Sequence, residues 1–386
     1  MKKVAYKSIE QVFKVPFRYQ VYFTENLFAR ENQLFADLIS GDKIPKVYFV
    51  LDEGVVNAHQ DLINDIKAYS EKYKSVFHLC AEPLVVPGGE GIKNDQAYFQ
   101  KVLNATHELG IDRHSYIIGV GGGAVLDMVG FAAGIAHRGI RHIRVPTTVL
   151  SQNDSGVGVK NGINAFGKKN FLGTFVPPFA VVNDSKFLQT LEERDWRSGI
   201  SEALKVALIK DASFFIWIEE NAVDLMDKGQ PAMDELIFRC AQMHLDHIAG
   251  KDPFETGSSR PLDFGHWSAH KLEHLSGYKV RHGEAVAIGI ALDTTYSFLS
   301  GLISENEMDR VLRVIANLGF NVYLPELSGE ALLLGLEEFR EHLGGELTIM
   351  LLDKIGHGVE VHEMDKGLIL RSVEKLKNIQ LEYQKA

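Results

Sequence analysis

Three histidines have the spacing of metal ligands. His266 and His270 are four residues apart, so their imidazoles would share one face of a helix, and His282 follows sixteen residues after His266. Neutral imidazole is the commonest metal ligand among protein side chains. A metal site is therefore the first hypothesis. The plain alternative is chance clustering among the fifteen histidines of the chain, with His274 as an ordinary exposed neighbour on the same face.

A carboxylate extends this set. Glu202 lies in an otherwise apolar helical pattern, where a carboxylate needs a partner. Either a metal ion or Lys205 could be that partner. Together with His266 and His282, Glu202 would form a two-histidine, one-carboxylate set, which leaves coordination positions open for substrate on an ion such as zinc.

Glycines in a strand-to-helix turn indicate a second site. Gly121, Gly122 and Gly123 would let backbone amides approach a pyrophosphate at a helix N-terminus. Asp52 ends an earlier strand, like the acid that holds the ribose in dinucleotide-binding folds, although it precedes the glycines. The alternatives are a tight turn without a ligand and, for Asp127, a charge that only complements the helix dipole.

A basic, glycine-rich stretch over residues 154–170 is a third candidate. Its Lys160, Lys168, Lys169 and Asn170 suit a flexible loop that binds phosphate or a polyol, and a solvated lysine loop is the alternative. Arg138 is a further candidate for phosphate.

Strand and helix patterns alternate in the first half of the chain. Apolar runs at 46–51, 115–118 and 143–145 predict strands, and 124–136 predicts a helix between the last two, which is the pattern of a parallel sheet. After Leu188 the pattern changes to long amphipathic segments. The sequence predicts an α/β protein, with a Rossmann-like parallel-sheet domain over 1–187 and a mainly α-helical domain over 188–386.

Composition excludes several classes of protein. The net charge of -10 argues against a nucleic-acid surface, and two cysteines, Cys80 and Cys240, do not indicate a disulfide framework. Residues 1–17 lack the apolar core of a secretory signal, and polar residues interrupt the apolar stretch 285–303, which we interpret as a buried helix and not a membrane span. A cytoplasmic protein is expected.

Together these segments resemble the sugar-phosphate cyclase superfamily, whose best-known member is 3-dehydroquinate synthase. The resemblance runs from about Asp52 to Lys354. It rests on Gly121-Gly122-Gly123 with Asp127, Val145-Pro146-Thr147-Thr148, the stretch from Asp154 to Lys160, Lys169-Asn170, Glu202 with Lys205, Phe264-Gly265-His266 with His270, and His282-Gly283-Glu284.

The resemblance implies a role for each matching residue. Glu202, His266 and His282 would bind a divalent cation, zinc or cobalt. The phosphate end of a sugar phosphate would be held by Lys160, Asn170, His270 and Arg138, with Arg138 reaching in from the second subunit of a homodimer. Asp154 and Lys205 complete the catalytic set. NAD would be lined by Asp52, Glu90, Lys93, Gly122, Gly123, Asp127, Thr147, Thr148, Lys169 and Thr190.

The family's reaction is a cyclisation that restores its NAD. A ring hydroxyl of a seven-carbon keto-sugar phosphate is oxidised to a ketone, which acidifies the neighbouring C–H so that phosphate is eliminated. The ketone is then reduced, the ring opens, and an enolate closes on a carbonyl to form a carbocycle. One cavity that holds both ends of the substrate lowers the barrier by proximity.

Departures from the family pattern leave the substrate open. Asp263 stands where dehydroquinate synthases have an asparagine, Arg260 is shifted by one residue, and helix residues 243–247 lack the expected lysine. Unless it is protonated or paired with Arg260, an aspartate would repel a substrate carboxylate, which favours sedoheptulose 7-phosphate, the substrate of valiolone- and gadusol-type cyclases. In contrast, His270 and Asp353-Lys354 match dehydroquinate synthases.

Two other functions compete with a cyclase. A metal-dependent polyol or glycerol dehydrogenase resembles this architecture, but it has no use for a basic phosphate-binding segment. A noncatalytic binding protein is the second, because the carboxylate-binding cluster is altered.

Overall fold

The protein is described here from a computed structural model that covers residues 7–250, 252–254, 262–342 and 345–385. Its strands are β1 (Val21–Thr24), β2 (Lys46–Asp52), β3 (His78–Leu79), β4 (Leu84–Val86), β5 (Tyr116–Gly121), β6 (Arg141–Pro146), β7 (Lys160–Ala165), β8 (Lys168–Phe175), β9 (Ala180–Asp184), β10 (Ile349–Lys354) and β11 (His357–Val361).

The α-helices are α1 (Leu34–Ile39), α2 (Glu53–Ala58), α3 (Leu62–Lys72), α4 (Gln96–Glu108), α5 (Gly123–Ile135), α6 (Glu193–Ser198), α7 (Ile200–Lys210), α8 (Ala212–Glu220), α9 (Ala222–Met226), α10 (Gln230–Ile248), α11 (His266–Leu275), α12 (His282–Leu299), α13 (Glu305–Asn317), α14 (Glu330–His342) and α15 (Lys366–Tyr383). Shorter helical turns cover Glu90–Asn94, Ala136–Arg138, Ser151–Ser155, Ser185–Thr190 and Pro325–Leu327.

A seven-stranded parallel sheet forms the first half of the fold. Its order is β1-β9-β6-β5-β2-β3, and β4 also pairs with β2. Strands β2, β5 and β6 are buried over almost their whole length because helices cover both faces of the sheet. The three predicted strands and the helix between the last two are confirmed. Since all strands run in one direction, Asp52, Gly121, Pro146 and Asp184 end at the same edge.

The second half is mainly helical and holds the largest apolar core. Helix α7 is buried from Ile200 to Ile209, and α12 is buried along most of its length between α7, α11, α13 and α15. The predicted helices of this region are present, and the fold class is confirmed. The domain boundary at residue 187 stays a prediction. No helix among the described residues is long and apolar enough to cross a membrane.

The basic stretch 154–170 is not the flexible loop that the sequence predicts. It contains the end of a helical turn, strand β7 and the start of β8, and the antiparallel hairpin β7–β8 packs on α5. A side chain at Gly130 of α5 would lie 1.8 Å from Oδ1 of Asn161, so only glycine admits this contact. The buried guanidinium of Arg144 donates to the carbonyls of Gly156, Gly158 and Lys160 at 2.8–3.0 Å. These hydrogen bonds hold residues 156–160 in a fixed conformation, which the local sequence does not predict.

Candidate active site

Three candidate ligands converge from three helices. Glu202 lies in the first turn of α7, whereas His266 and His282 are the first residues of α11 and α12. Oε1 of Glu202 is 3.6 Å from Nε2 of His266 and 3.4 Å from Nε2 of His282, and one ligand atom of each residue lies within 4.8 Å of the other two. A tetrahedral ion with bonds of about 2.0–2.1 Å separates its ligands by roughly 3.4 Å. The arrangement therefore fits one divalent cation.

Both imidazoles are oriented for this role. Nδ1 of His282 is 3.3 Å from Oε2 of Glu273, and Nδ1 of His266 is 3.3 Å from the carbonyl oxygen of Phe264. In the neutral form of each ring, an acceptor beside Nδ1 favours the tautomer that carries its proton there, which leaves the Nε2 lone pair available to a cation beside Glu202.

The carboxylate of Glu202 is fully buried, and its two oxygens have different neighbours. Oε2 lies 2.5 Å from Nζ of Lys205, which is also buried, and Oε1 faces the Nε2 atoms of His266 and His282. Burial alone would raise the pKa of Glu202, but Lys205, His266 and His282 hold it well below its usual range. A fully buried anionic oxygen is costly, and a cation bound between it and the two rings would reduce that cost.

The two histidines differ in charge when no metal is bound. Burial, reinforced by Lys205, lowers the pKa of His266 well below its ordinary value, so this ring is neutral. Burial acts in the same direction on His282, but its contacts with Glu202 and Glu273 outweigh burial and raise its pKa to about 10. One ligand is ready for a cation, and the other must first lose a proton.

A second polar cluster adjoins the first. Oδ1 of Asp154 is 3.0 Å from Nε2 of His244, and both approach Glu202 closely enough to form a second possible ligand set. Burial would raise the pKa of Asp154, but His244 lowers it. His244 was not expected from the sequence, and it lies on α10 in the segment 243–247 that lacks the family's lysine. Its position one turn after the buried Cys240 was the available signal.

His270 is not part of the Glu202 set. Its side chain is exposed, and its ring centroid lies 5.5 Å from that of His266 and 6.0 Å from that of His282. It does form a possible set with Glu273 and His282. The spacing of four residues thus places His270 beside the candidate cation site. The histidine that joins His266 in the Glu202 set is His282, from the next helix.

The candidate NAD residues lie mostly at the carboxyl edge of the sheet. Asp52 accepts a hydrogen bond from the N–H of Gly54, and a side chain at Gly121 would lie 2.9 Å from Cβ of Asp52. Burial raises the pKa of Asp52, opposed by the N–H groups of Gly54 and Gly122. Gly122 directly precedes α5, so its neighbours present a helix N-terminus at this edge.

The remaining members of this set are held by specific partners. Nζ of Lys93 is 2.9 Å from Asp127 and 3.8 Å from Glu90. Oγ1 of Thr148 is 2.8 Å from Oγ of Ser151, whereas Oγ1 of Thr147 is buried with no hydrogen-bond partner among the described residues. Two of the candidate NAD residues contact residues away from the sheet edge. Lys169 lies 3.1 Å from Glu273, and Thr190 lies 2.9 Å from His59.

One helical turn connects the two sites. Ser155 packs against the glycine turn, since a side chain at Gly123 would lie 2.6 Å from its Oγ. The preceding residue, Asp154, belongs to the cluster with Glu202 and His244. A ligand at the glycine turn would therefore lie beside the candidate cation site.

The phosphate candidates other than His270 lie on the hairpin and beyond α5. Lys160 and Asn170 are exposed on the hairpin, at the start of β7 and on β8. Arg138 is exposed beyond the far end of α5, which at thirteen residues is about 20 Å long, so it lies away from the glycine turn. Arg260 lies outside the described residues.

Comparison with known proteins assigns the family. Residues 83–198 match the description "3-dehydroquinate synthase N-terminal", and residues 199–338 match "3-dehydroquinate synthase C-terminal". A 3-dehydroquinate synthase of Jannaschia sp. (strain CCS1) is 35% identical over 347 residues, which are 88% of this chain and 90% of the relative. The chain belongs to the 3-dehydroquinate synthase family. It is a cyclase of this family, and its enzyme class is that of the lyases.

Solved structures of a cyclase and of a dehydrogenase both resemble this fold, to different degrees. A 2-epi-5-epi-valiolone synthase from Streptomyces hygroscopicus subsp. jinggangensis 5008, with NAD+ and Zn2+ bound, has a TM-score of 0.85 and 29% identity, covering 96% of this chain and 99% of its own. A glycerol dehydrogenase from Schizosaccharomyces pombe has a TM-score of 0.64 and 14% identity, covering 98% and 93%. The second likeness shows the fold alone.

Proposed function

We propose that this member of the family is an NAD- and divalent-metal-dependent cyclase of a seven-carbon keto-sugar phosphate. The observation that carries the proposal is the convergence of Oε1 of Glu202 with Nε2 of His266 and of His282, beside the glycine turn. The cofactor supplies reversible hydride removal at a ring carbon, and the cation supplies Lewis-acid polarisation of the hydroxyl being oxidised.

The protein's own groups would perform the remaining work. The N–H groups at the start of α5 would bind the pyrophosphate, and Asp52 the ribose. Asp154, held by His244, lies next to Glu202, where it would accept the hydroxyl proton. Lys160, Asn170 and His270 would hold the substrate, joined by Arg138 from the second subunit of a homodimer, because the chain's own site is too far from this arginine.

The charges around the cluster favour a substrate without a carboxylate. Two buried basic side chains of this region already have an anion: Lys205 has Glu202, and His244 has Asp154. Burial lowers the pKa of Lys205, but Glu202, Asp154 and, to the smallest extent, Asp263 raise it, so Asp263 is a further negative charge near this lysine. We therefore propose sedoheptulose 7-phosphate, whose corresponding end is uncharged, ahead of 3-deoxy-arabino-heptulosonate 7-phosphate.

The test is phosphate release from both substrates by enzyme supplied with NAD and Zn2+ or Co2+. Release from sedoheptulose 7-phosphate without net NADH supports the proposal. NADH accumulation with a simple polyol would instead support the dehydrogenase, and no release from either sugar phosphate by metal-replete enzyme would support a noncatalytic binder.

Asp263→Asn is expected to increase the relative use of the carboxylate substrate. The variant removes a negative charge that repels the substrate carboxylate in a partly dry pocket. This changes their interaction free energy by on the order of 1 kcal/mol, which corresponds to about fivefold in the ratio of kcat/KM values. Asp246→Asn on the exposed face of α10 is the matched control and should leave the ratio unchanged. An unaltered ratio in the Asp263 variant would remove this residue from the discrimination.

Metal binding is expected to release about one proton per site near neutral pH. Because the pKa of His282 is about 10 without metal, the ring is protonated at pH 7 and must become neutral to bind. Apparent affinity should therefore rise roughly tenfold per pH unit between about pH 7 and 9. Calorimetric titration with Zn2+ in buffers of different ionisation enthalpy measures this release, and binding without proton release would contradict the expectation.

A further inference from the structure

Glu273 lies between the candidate cation site and the hairpin β7–β8. Its side chain is 7% exposed, and each carboxylate oxygen has a different partner. Oε2 lies 3.3 Å from Nδ1 of His282 on α12, and Oε1 lies 3.1 Å from Nζ of Lys169 on β8. One buried side chain of α11 thus connects three elements.

We propose that Glu273 is a positioning residue, which fixes the His282 ring for cation binding and ties it to the hairpin through Lys169. This inference rests on the proposed function, since it assumes that a cation binds there. It assigns a role to a residue that neither the motifs nor the charge pattern singled out.

The physical argument concerns the orientation of the ring. A terminal imidazole torsion is broad, so His282 needs a fixed acceptor at Nδ1 to keep Nε2 directed at Glu202. Glu273 can be that acceptor because Lys169 holds its other oxygen, and Lys169 in turn lies 5.4 Å from the ring centroid of Tyr278. The ring of His266 has a backbone carbonyl for the same purpose, so of these two rings it is His282 that depends on a side chain.

The test measures Zn2+ affinity by competition with a chromophoric chelator, using the metal-depleted full chain. Glu273→Ala, which removes the acceptor beside Nδ1 of His282, is expected to weaken binding about 10- to 100-fold, the usual effect of removing such a partner. Glu273→Asp, which keeps the charge but shortens the reach, should fall between. The control is Glu338→Gln, which removes the carboxylate that pairs with Lys271, a neighbour of Glu273 on α11. This variant should bind Zn2+ like the wild type. Affinity within about twofold of wild type in both Glu273 variants overturns the proposal.

The spectrum of bound Co2+ distinguishes positioning from direct ligation, because Glu273 also belongs to a possible ligand set with His270 and His282. At saturating Co2+, Glu273→Ala should keep the wild-type absorption band. A changed band would make Glu273 a ligand and overturn the positioning role. If the wild-type enzyme binds neither Zn2+ nor Co2+, the proposed function itself is contradicted. If the wild type binds normally and the Glu273 variants are unaffected, only the positioning role is contradicted.

Discussion

Replacing His266 with alanine is expected to remove metal binding and cyclase activity together. The variant leaves Glu202 and His282 without the third atom of their set, and the several kcal/mol that a Lewis acid contributes correspond to a loss of about 10³-fold or more in kcat/KM. Bound zinc by elemental analysis and phosphate release from sedoheptulose 7-phosphate measure the two effects.

The matched control is His274→Ala, two helical turns further along α11. His274 is exposed and outside the Glu202 set, so its variant should keep metal and activity. A His266→Ala enzyme with a full complement of zinc and normal turnover would show that the three converging side chains are not the catalyst.

Replacing Lys205 with methionine is expected to destabilise the metal-free protein by roughly 3–5 kcal/mol, because it leaves the Glu202 carboxylate buried beside fewer positive charges. Urea unfolding of metal-free protein measures the loss. Zinc should reduce it, since a bound cation compensates the same carboxylate.

Lys271→Met is the control for this prediction. Lys271 is also a buried lysine, but its partner Glu338 is mostly exposed and can be solvated when the lysine is removed. A much smaller loss, about 1 kcal/mol or less, is expected. Equal losses in the two variants would mean that desolvation of Glu202 is not the cause.

The structure agrees with the sequence wherever local chemistry was decisive. The strands at Lys46, Tyr116 and Arg141 are short β-branched or aromatic runs with no competing helical period, and helix α5 follows the glycine turn as predicted. The basic stretch was misjudged because its glycines and lysines resemble a loop. The stretch is held in place by the buried Arg144, which lies outside it in the sequence. A prediction made from the local residue pattern does not include these hydrogen bonds.

The sequence alone determined the family, the parallel sheet with its glycine turn, and the identity of the candidate ligands, because these depend on residue types and on spacings within one element. Only the tertiary structure decided which side chains meet. It placed His244 against Asp154, put Glu273 beside Nδ1 of His282, and brought Glu202, His266 and His282, a set expected from the sequence, close to one another. Such contacts depend on how helices cross one another, since side chains far apart in the chain come within bonding distance only when the packed core fixes the angle and depth of each helix.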